Sequence, residues 1–258
     1  MLALCSLYAC SIKEDRTECP TEFTVVFNAP DDIVGKNLDF NVLDGENSLL
    51  QDSFTYQGGW QPRVYRIPRK EEFLVASYGI EGISQVYTIA QGRQCDSIYS
   101  GYKLVHPGEE YGRDSVVLHK NFASVFVNLI MEDGDGTNPY DLHVRANSNG
   151  VTLLSDLPVS GSYSFWPYDN LSADGFRYSF RLPRLNVRDG SFSLGFCERE
   201  SGKEVCTLGF SSDMLESKGY SWAKANLDDI TIDLTVGATT MNISVGDWYV
   251  SAPIDITF

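Results

Sequence analysis

The sequence holds 258 residues, 43% of them hydrophobic and 21% charged, with 22 Gly and 10 Pro; that is long for a single sandwich, ample for two domains, and too apolar for a disordered chain. Twenty Lys and Arg against 35 Asp and Glu leave a formal charge of −15, a field that repels phosphate backbones and argues against nucleic acid as a partner. No stretch approaches the ~20 apolar residues of a membrane-spanning helix, so attachment to a membrane would need another device.

Residues 1–9, MLALCSLYA, are mostly apolar and lead through Ala9 to Cys10. LYAC resembles the lipobox of a bacterial lipoprotein signal peptide: Leu7 and Ala9 stand at the expected places, Tyr8 is bulkier than usual, and the basic leader is missing. The resemblance implies a truncated signal peptide over 1–9 and a diacylglyceryl group on the Cys10 thiol. Two or three acyl chains, each contributing ~0.8 kcal/mol per buried CH₂, would hold the protein on the outer membrane durably. The competing reading is a hydrophobic first strand, but the polar run SIKEDR that follows has no strong turn residue to end one. Within that run Lys13, Glu14 and Asp15 resemble the export signal that carries Bacteroidota lipoproteins to the cell surface. The same residues equally suit a solvated tether over 10–20.

Beyond Pro20 apolar residues alternate with polar ones at period two, the pattern of strands with one buried face. Phe23, Val25 and Phe27 begin it, and Leu38, Phe40 and Val42 continue it. Phe176, Tyr178, Phe180 and Leu182 repeat it, as do Ile230, Ile232, Leu234 and Val236. One helical signal interrupts, SSDMLESKGYSW, where Ser212 or Asp213 could cap a short turn that Gly219 ends. The reading is all-β, with antiparallel strands arranged in two tandem sandwiches. The polar stretch PGEEYGRD, Pro107 to Asp114, separates strand signals on either side and places the domains at 21–112 and 113–258.

Six cysteines are present, with Cys5 in the signal segment, Cys10 at the lipid and four in the folded part. Cys197 and Cys206 flank ERESGKEV between two strand signals, so a hairpin would bring them across from each other as a disulfide if its register allows. Cys19 and Cys95 either form a second bridge or remain thiols. A structural zinc is disfavoured by the lack of a CxxC pair and by only three histidines, His106, His119 and His143, spread along the chain. In EDGDGTNPYD the carboxylates Asp133, Asp135 and Asp141 could approach Ca²⁺, but the sixth position is Asn138 where the EF-hand needs Gly, and a solvated turn fits better. No metal or other cofactor is expected.

No GxSxG, GxxxxGK[ST] or HExxH motif is present, so the chain is not expected to be an enzyme. Aromatic residues leave one further possibility. Trp60, following Gly58 and Gly59, and Trp166-Pro167-Tyr168 stand in turn-like contexts, where exposed rings stack on sugars. Alternatively Trp166, Trp222 and Trp248 cover the sandwich cores.

With CSIKEDRTECP at the start, EFLVASYGIEG and DSIYSGY in the first domain, NFASVFVNLIM opening the second and NISVGDWYV near the close, the chain resembles the fimbrial anchor and assembly lipoproteins of Bacteroidota type V fimbriae. The resemblance implies two transthyretin-like sandwiches and a cell-surface protein that meets fimbrial pilin subunits through donated strands. Pilins of that family lose their first strand by cleavage after an arginine, whereas an anchor keeps it. Arg16 lies too close to Cys10 for a cut there to release a strand, and Arg113 lies near the domain boundary, so the anchor fits better. At the C-terminus Met241, Ile243 and Val245 alternate, and after Gly246-Asp247 the pattern resumes at Ile254, Ile256 and Phe258. That last segment is the candidate pilin contact; its other reading is a strand internal to the second sandwich.

Overall fold

The structure, a computed structural model, describes residues 19–80, 85–107, 111–131, 136–173, 175–236, 240–245 and 248–253. The first sandwich opens with β1 (Thr21–Asn28), the middle strand of a three-stranded sheet. On one side β1 pairs antiparallel with β4 (Gln61–Ile67), and on the other it pairs parallel with β8 (Tyr111–Val117). The facing sheet has the order β3 (Asn47–Thr55), β2 (Asn37–Asp44), β5 (Glu72–Tyr78), β7 (Tyr99–Val105), β9 (His119–Lys120).

Alternation explains why these segments are strands. Phe23, Val25 and Phe27 point inward from β1, while Leu38, Phe40 and Val42 point inward from β2. Phe27 meets the Phe40 ring edge-on at 5.0 Å and Phe54 at 4.8 Å, and Phe40 lies 4.7 Å from Tyr65. Fully burying such a side chain contributes about 1.5–3 kcal/mol, so this cluster is a main source of the first sandwich's stability.

The second sandwich is built on β10 (Phe122–Met131), which pairs antiparallel with β14 (Gly175–Pro183) and parallel with β17 (Ile230–Val236). Its sheet runs β13 (Asp169–Ser172), β14, β10, β17, β18 (Thr240–Val245), β19 (Trp248–Pro253). The facing sheet runs β12 (Pro158–Phe165), β11 (Tyr140–Thr152), β15 (Ser191–Glu198), β16 (Glu204–Ser211). The expected inward series Phe176, Tyr178, Phe180, Leu182 and Ile230, Ile232, Leu234 is buried.

The all-β, two-sandwich expectation holds, with two corrections. The strands are not uniformly antiparallel, because in each sandwich the opening strand pairs in parallel with a later one. The boundary also moves. β8 stays hydrogen-bonded to β1 as far as Val117, β9 pairs with β7, and the second sandwich begins at Phe122, so the domains divide at Asn121 rather than at 112/113. The apolar run from Val116 to Met131 hid the division, since Val116, Leu118 and Phe122 are all buried and the Phe122 ring still packs edge-on against Tyr99 of the first sandwich at 5.4 Å. In addition β6 (Val86–Thr88), carried by the first part of the chain, pairs with β11 of the second sandwich.

The helical signal is α1 (Ser212–Glu216). Its cap is Ser211, whose Oγ accepts from the Met214 amide, and not Ser212 or Asp213. Ser212 instead donates to the carbonyls of Asn186 and Gly190. Gly219, at φ +83°, ends the turn in the left-handed region that glycine enters without strain.

Candidate partner-binding surfaces

Cys10 and the export residues Lys13, Glu14 and Asp15 lie outside the described residues, as do Ile254, Ile256 and Phe258. What the structure describes is where those segments attach. At one end the chain passes Cys19 and Pro20 straight into β1, held by backbone hydrogen bonds on both sides. At the other, β18 and β19 form an antiparallel hairpin added to β17, and β19 is the outermost strand of its sheet among the described residues. Arg113 is not in a linker but within β8, opposite Thr24.

The expected disulfide is a correction. Cys197 and Cys206 are both free thiols. Their hairpin does form, but its register sets Cys206 opposite Phe196 and Cys197 opposite Glu204, with a bulge between Phe196 and Cys197. The two thiols are therefore not cross-strand partners: Cys206 packs against the core, while Cys197 is buried on the other side of the bulge. Burial pushes both thiols upward from their ordinary value, with Glu204 adding to it. Cys19 and Cys95 are likewise free, the former exposed and the latter buried in the core. Of the three carboxylates weighed for Ca²⁺, Asp133 and Asp135 lie outside the described residues, and Asp141 accepts from Arg199 Nε at 2.8 Å. Among the described residues no group of three or more His, Cys, Asp or Glu could hold a metal ion.

The junction between sandwiches is a buried polar network that sequence reading missed. Asn121 donates to Ser100 Oγ at 2.7 Å and to Asp156 Oδ1 at 2.9 Å, and Ser100 donates to the same carboxylate at 2.8 Å. Arg184 donates through Nε to Asn121 Oδ1 at 2.8 Å, and its other nitrogens reach the carbonyls of Trp222, Lys224 and Ala225 at 2.5–2.8 Å. Burial raises the Asp156 carboxyl, and the bonds from Ser100 and Asn121 only partly oppose it. The SDLP turn containing Asp156 carried no visible sign of this, because its partners come from segments far apart in sequence. Beside the junction, β6 and the segment after it close a cleft of about 1070 Å³ over β2 and β5. Asn37, Asp39, Tyr78, Arg93 and Asp96 line it, giving it a polar wall of mixed charge.

The tryptophans divide. Trp222 is buried at 1%, as the core-covering alternative required, and packs edge-on against Tyr220 at 4.8 Å. Trp60 and Trp166 are exposed at 62% and 47%, and Tyr168 at 89%. Trp166 lies flat on His143, with centroids 4.1 Å apart and planes 5° from parallel. His143 Nε2 is fixed by Ser164 Oγ at 2.8 Å. Burial, followed by the nearby Arg145 charge, lowers its pKa from 6.5, so the stacked imidazole is neutral at pH 7.

No known protein-family profile matches the sequence, and no curated protein matches it at a significant level. Solved structures do match in shape. A candidate adhesin from Bacteroides ovatus superposes with a TM-score of 0.65 at 13% identity, over 90% of this chain and 96% of that one. A candidate polysaccharide-binding protein from Bacteroides thetaiotaomicron gives 0.64 at 14% identity, over 92% and 100%. The fimbrial anchor protein Mfa2 from Porphyromonas gingivalis gives 0.64 at 11% identity, over 90% and 99%. The chain therefore has, over about nine-tenths of its length, the fold of these Bacteroidota proteins, a candidate adhesin and a fimbrial anchor protein among them.

Proposed function

We propose that the protein is a cell-surface lipoprotein that anchors fimbriae or helps assemble them, held in the outer membrane by acyl chains on Cys10 and joined to pilin subunits through a strand contact. Its work is attachment rather than catalysis. The observation that supports this best is the sharing of one fold, over nearly the whole length of both chains, with the fimbrial anchor protein. The outer side of β19 offers backbone groups on which a partner strand can build, and Ile254, Ile256 and Phe258 follow directly from it.

The test is removal of 254–258, which leaves the β18–β19 hairpin whole. Pilin should cease to co-purify, while the variant keeps a cooperative melt and its place in the membrane fraction. Unchanged pilin recovery would remove this segment from the interface.

A second reading, a glycan-binding surface lipoprotein, is favoured by one observation: Trp166 is exposed yet held flat against His143.

A further inference from the structure

On the strands β11, β15 and β16 the residues Leu142, Val144, Leu194, Phe196 and Leu208 turn into the core. His143, Arg145, Ser193, Gly195, Thr207 and Gly209 therefore share the outer face of that sheet, His143 opposite Gly195 and Gly195 opposite Thr207 in adjacent strands. Two glycines in this face leave a shallow floor. The end of the Glu204 side chain lies over Gly195, in space that a Cβ there would enter. Glu204 is pinned in turn, accepting from Arg145 and, through its other oxygen, from Thr207 Oγ at 2.6 Å. From Arg145 a shallow, open groove continues past Asn147, Ser193 and Gly209.

We propose that this face is the glycan site of the second reading, on which the proposal rests, and that it takes a neutral saccharide. Trp166 is the platform for the C–H face of one pyranose ring, and Arg145, Glu204 and Thr207 meet its hydroxyls. Two features of the geometry and the charge of the chain support this occupant. The indole has one face backed by a fixed, neutral imidazole while about half its surface meets water, an arrangement that holds a flat apolar plate still at little entropic cost to a ligand. A carboxylate and a guanidinium are paired on the same sheet face as the histidine that backs the plate, Glu204 lying over Gly195 opposite His143, and together they offer the acceptor and donor that adjacent sugar hydroxyls require. The net charge of −15 disfavours sialylated or uronic-acid ligands.

The experiment presents the full chain to an array of printed neutral and sialylated oligosaccharides, followed by titration with the neutral ones that bind. Wild type should bind in the millimolar to micromolar range. Trp166→Ala should lose roughly tenfold or more in affinity, Trp166→Phe should retain part of it, and Glu204→Gln should weaken binding; Trp60→Ala should match wild type. Melting curves confirm that each variant is folded. Should Trp166→Ala bind as tightly as wild type, or Trp60→Ala abolish binding, the site is wrong although glycan binding stands. Binding confined to sialylated glycans would overturn the proposed ligand class, and no binding to any glycan would overturn both the site and the second reading.

Discussion

Arg184 donates its Nε hydrogen to Asn121 Oδ1 at 2.8 Å, tying the end of β14 to the single residue between the two sandwiches. Backbone bonds reinforce the tie: the Arg184 amide reaches the Asn121 carbonyl at 3.1 Å, and the Asn121 amide reaches the Ile98 carbonyl at 2.9 Å. The β6–β11 pairing is a second tie between the first part of the chain and the second sandwich. Burial also lowers the Arg184 pKa from its ordinary value.

Removing that guanidinium should show how much the junction contributes. Arg184→Ala leaves Asn121 Oδ1 and three carbonyls without their donor, and a loss of about 2–3 kcal/mol in urea denaturation is expected. Arg184→Lys should recover only part of it, because a compact ammonium cannot span all four acceptors. A midpoint unchanged from wild type would show the network to be energetically idle.

Asp156 makes the same junction sensitive to pH. Its carboxyl is raised above 3.8 by burial, so ionisation near neutral pH works against folding. At φ 51° the position suits Asn as well as Asp, and Asn can accept the bonds from Ser100 and Asn121. Stability of wild type relative to Asp156→Asn should therefore rise as pH falls through the raised folded-state pKa toward 3.8, and level off below it. Paired thermal melts between pH 7 and pH 3 check this; a difference independent of pH would mean that Asp156 titrates normally.

The free cysteines give a chemical test of strand register. Peptide mapping without reduction should recover Cys197 and Cys206 on separate peptides. Both thiols are pushed up by burial, so alkylation of the native protein at neutral pH should be slow at each, and fast only after unfolding. A linked pair would require the β15–β16 register to slip by one residue, which would turn Phe192, Leu194 and Phe196 out of the core.

The sequence made the two sandwiches legible because burial on one face imposes period two, and Phe23-Val25-Phe27 or Phe176-Tyr178-Phe180 display that period directly. The parallel pairing of β1 with β8 was hidden, since alternation records which face is buried but not which strand lies alongside. The boundary at Asn121 was hidden for a related reason: Leu118 and Phe122 on either side of it are both buried, so burial alone does not mark where one sandwich ends. Cys197 and Cys206 misled because a hairpin fixes proximity, while one bulge decides facing. Trp166 could be singled out by its place in a turn, but its stacking partner His143 sits 23 residues earlier on a different strand. The Ser100–Asn121–Asp156 network likewise joins three segments that only the fold brings together.

The last prediction concerns the tether, and it follows from the place of β1 in its sheet. Phe23, Val25 and Phe27 are buried, and β1 supplies hydrogen bonds to two neighbours at once. Cutting the chain ahead of Cys19 should therefore spare the fold, whereas beginning at Ala29 should abolish the cooperative melt, because it removes the middle strand and splits the sheet. Under the proposed attachment, Cys10→Ala should move the protein from the membrane fraction to the soluble fraction with its melting curve unchanged. Retention in the membrane fraction after a high-salt wash would sink the lipid anchor. Replacing Lys13, Glu14 and Asp15 with Ala together should leave the protein membrane-bound but shield it from protease added to intact cells; equal digestion of variant and wild type would reduce that triplet to a plain tether. Arg113 separates the anchor reading from a processed pilin. Its backbone is paired within β8, so brief arginine-directed proteolysis of the folded protein should leave the following bond intact. Rapid cleavage there with release of the preceding segment would favour a subunit matured by loss of its first strand.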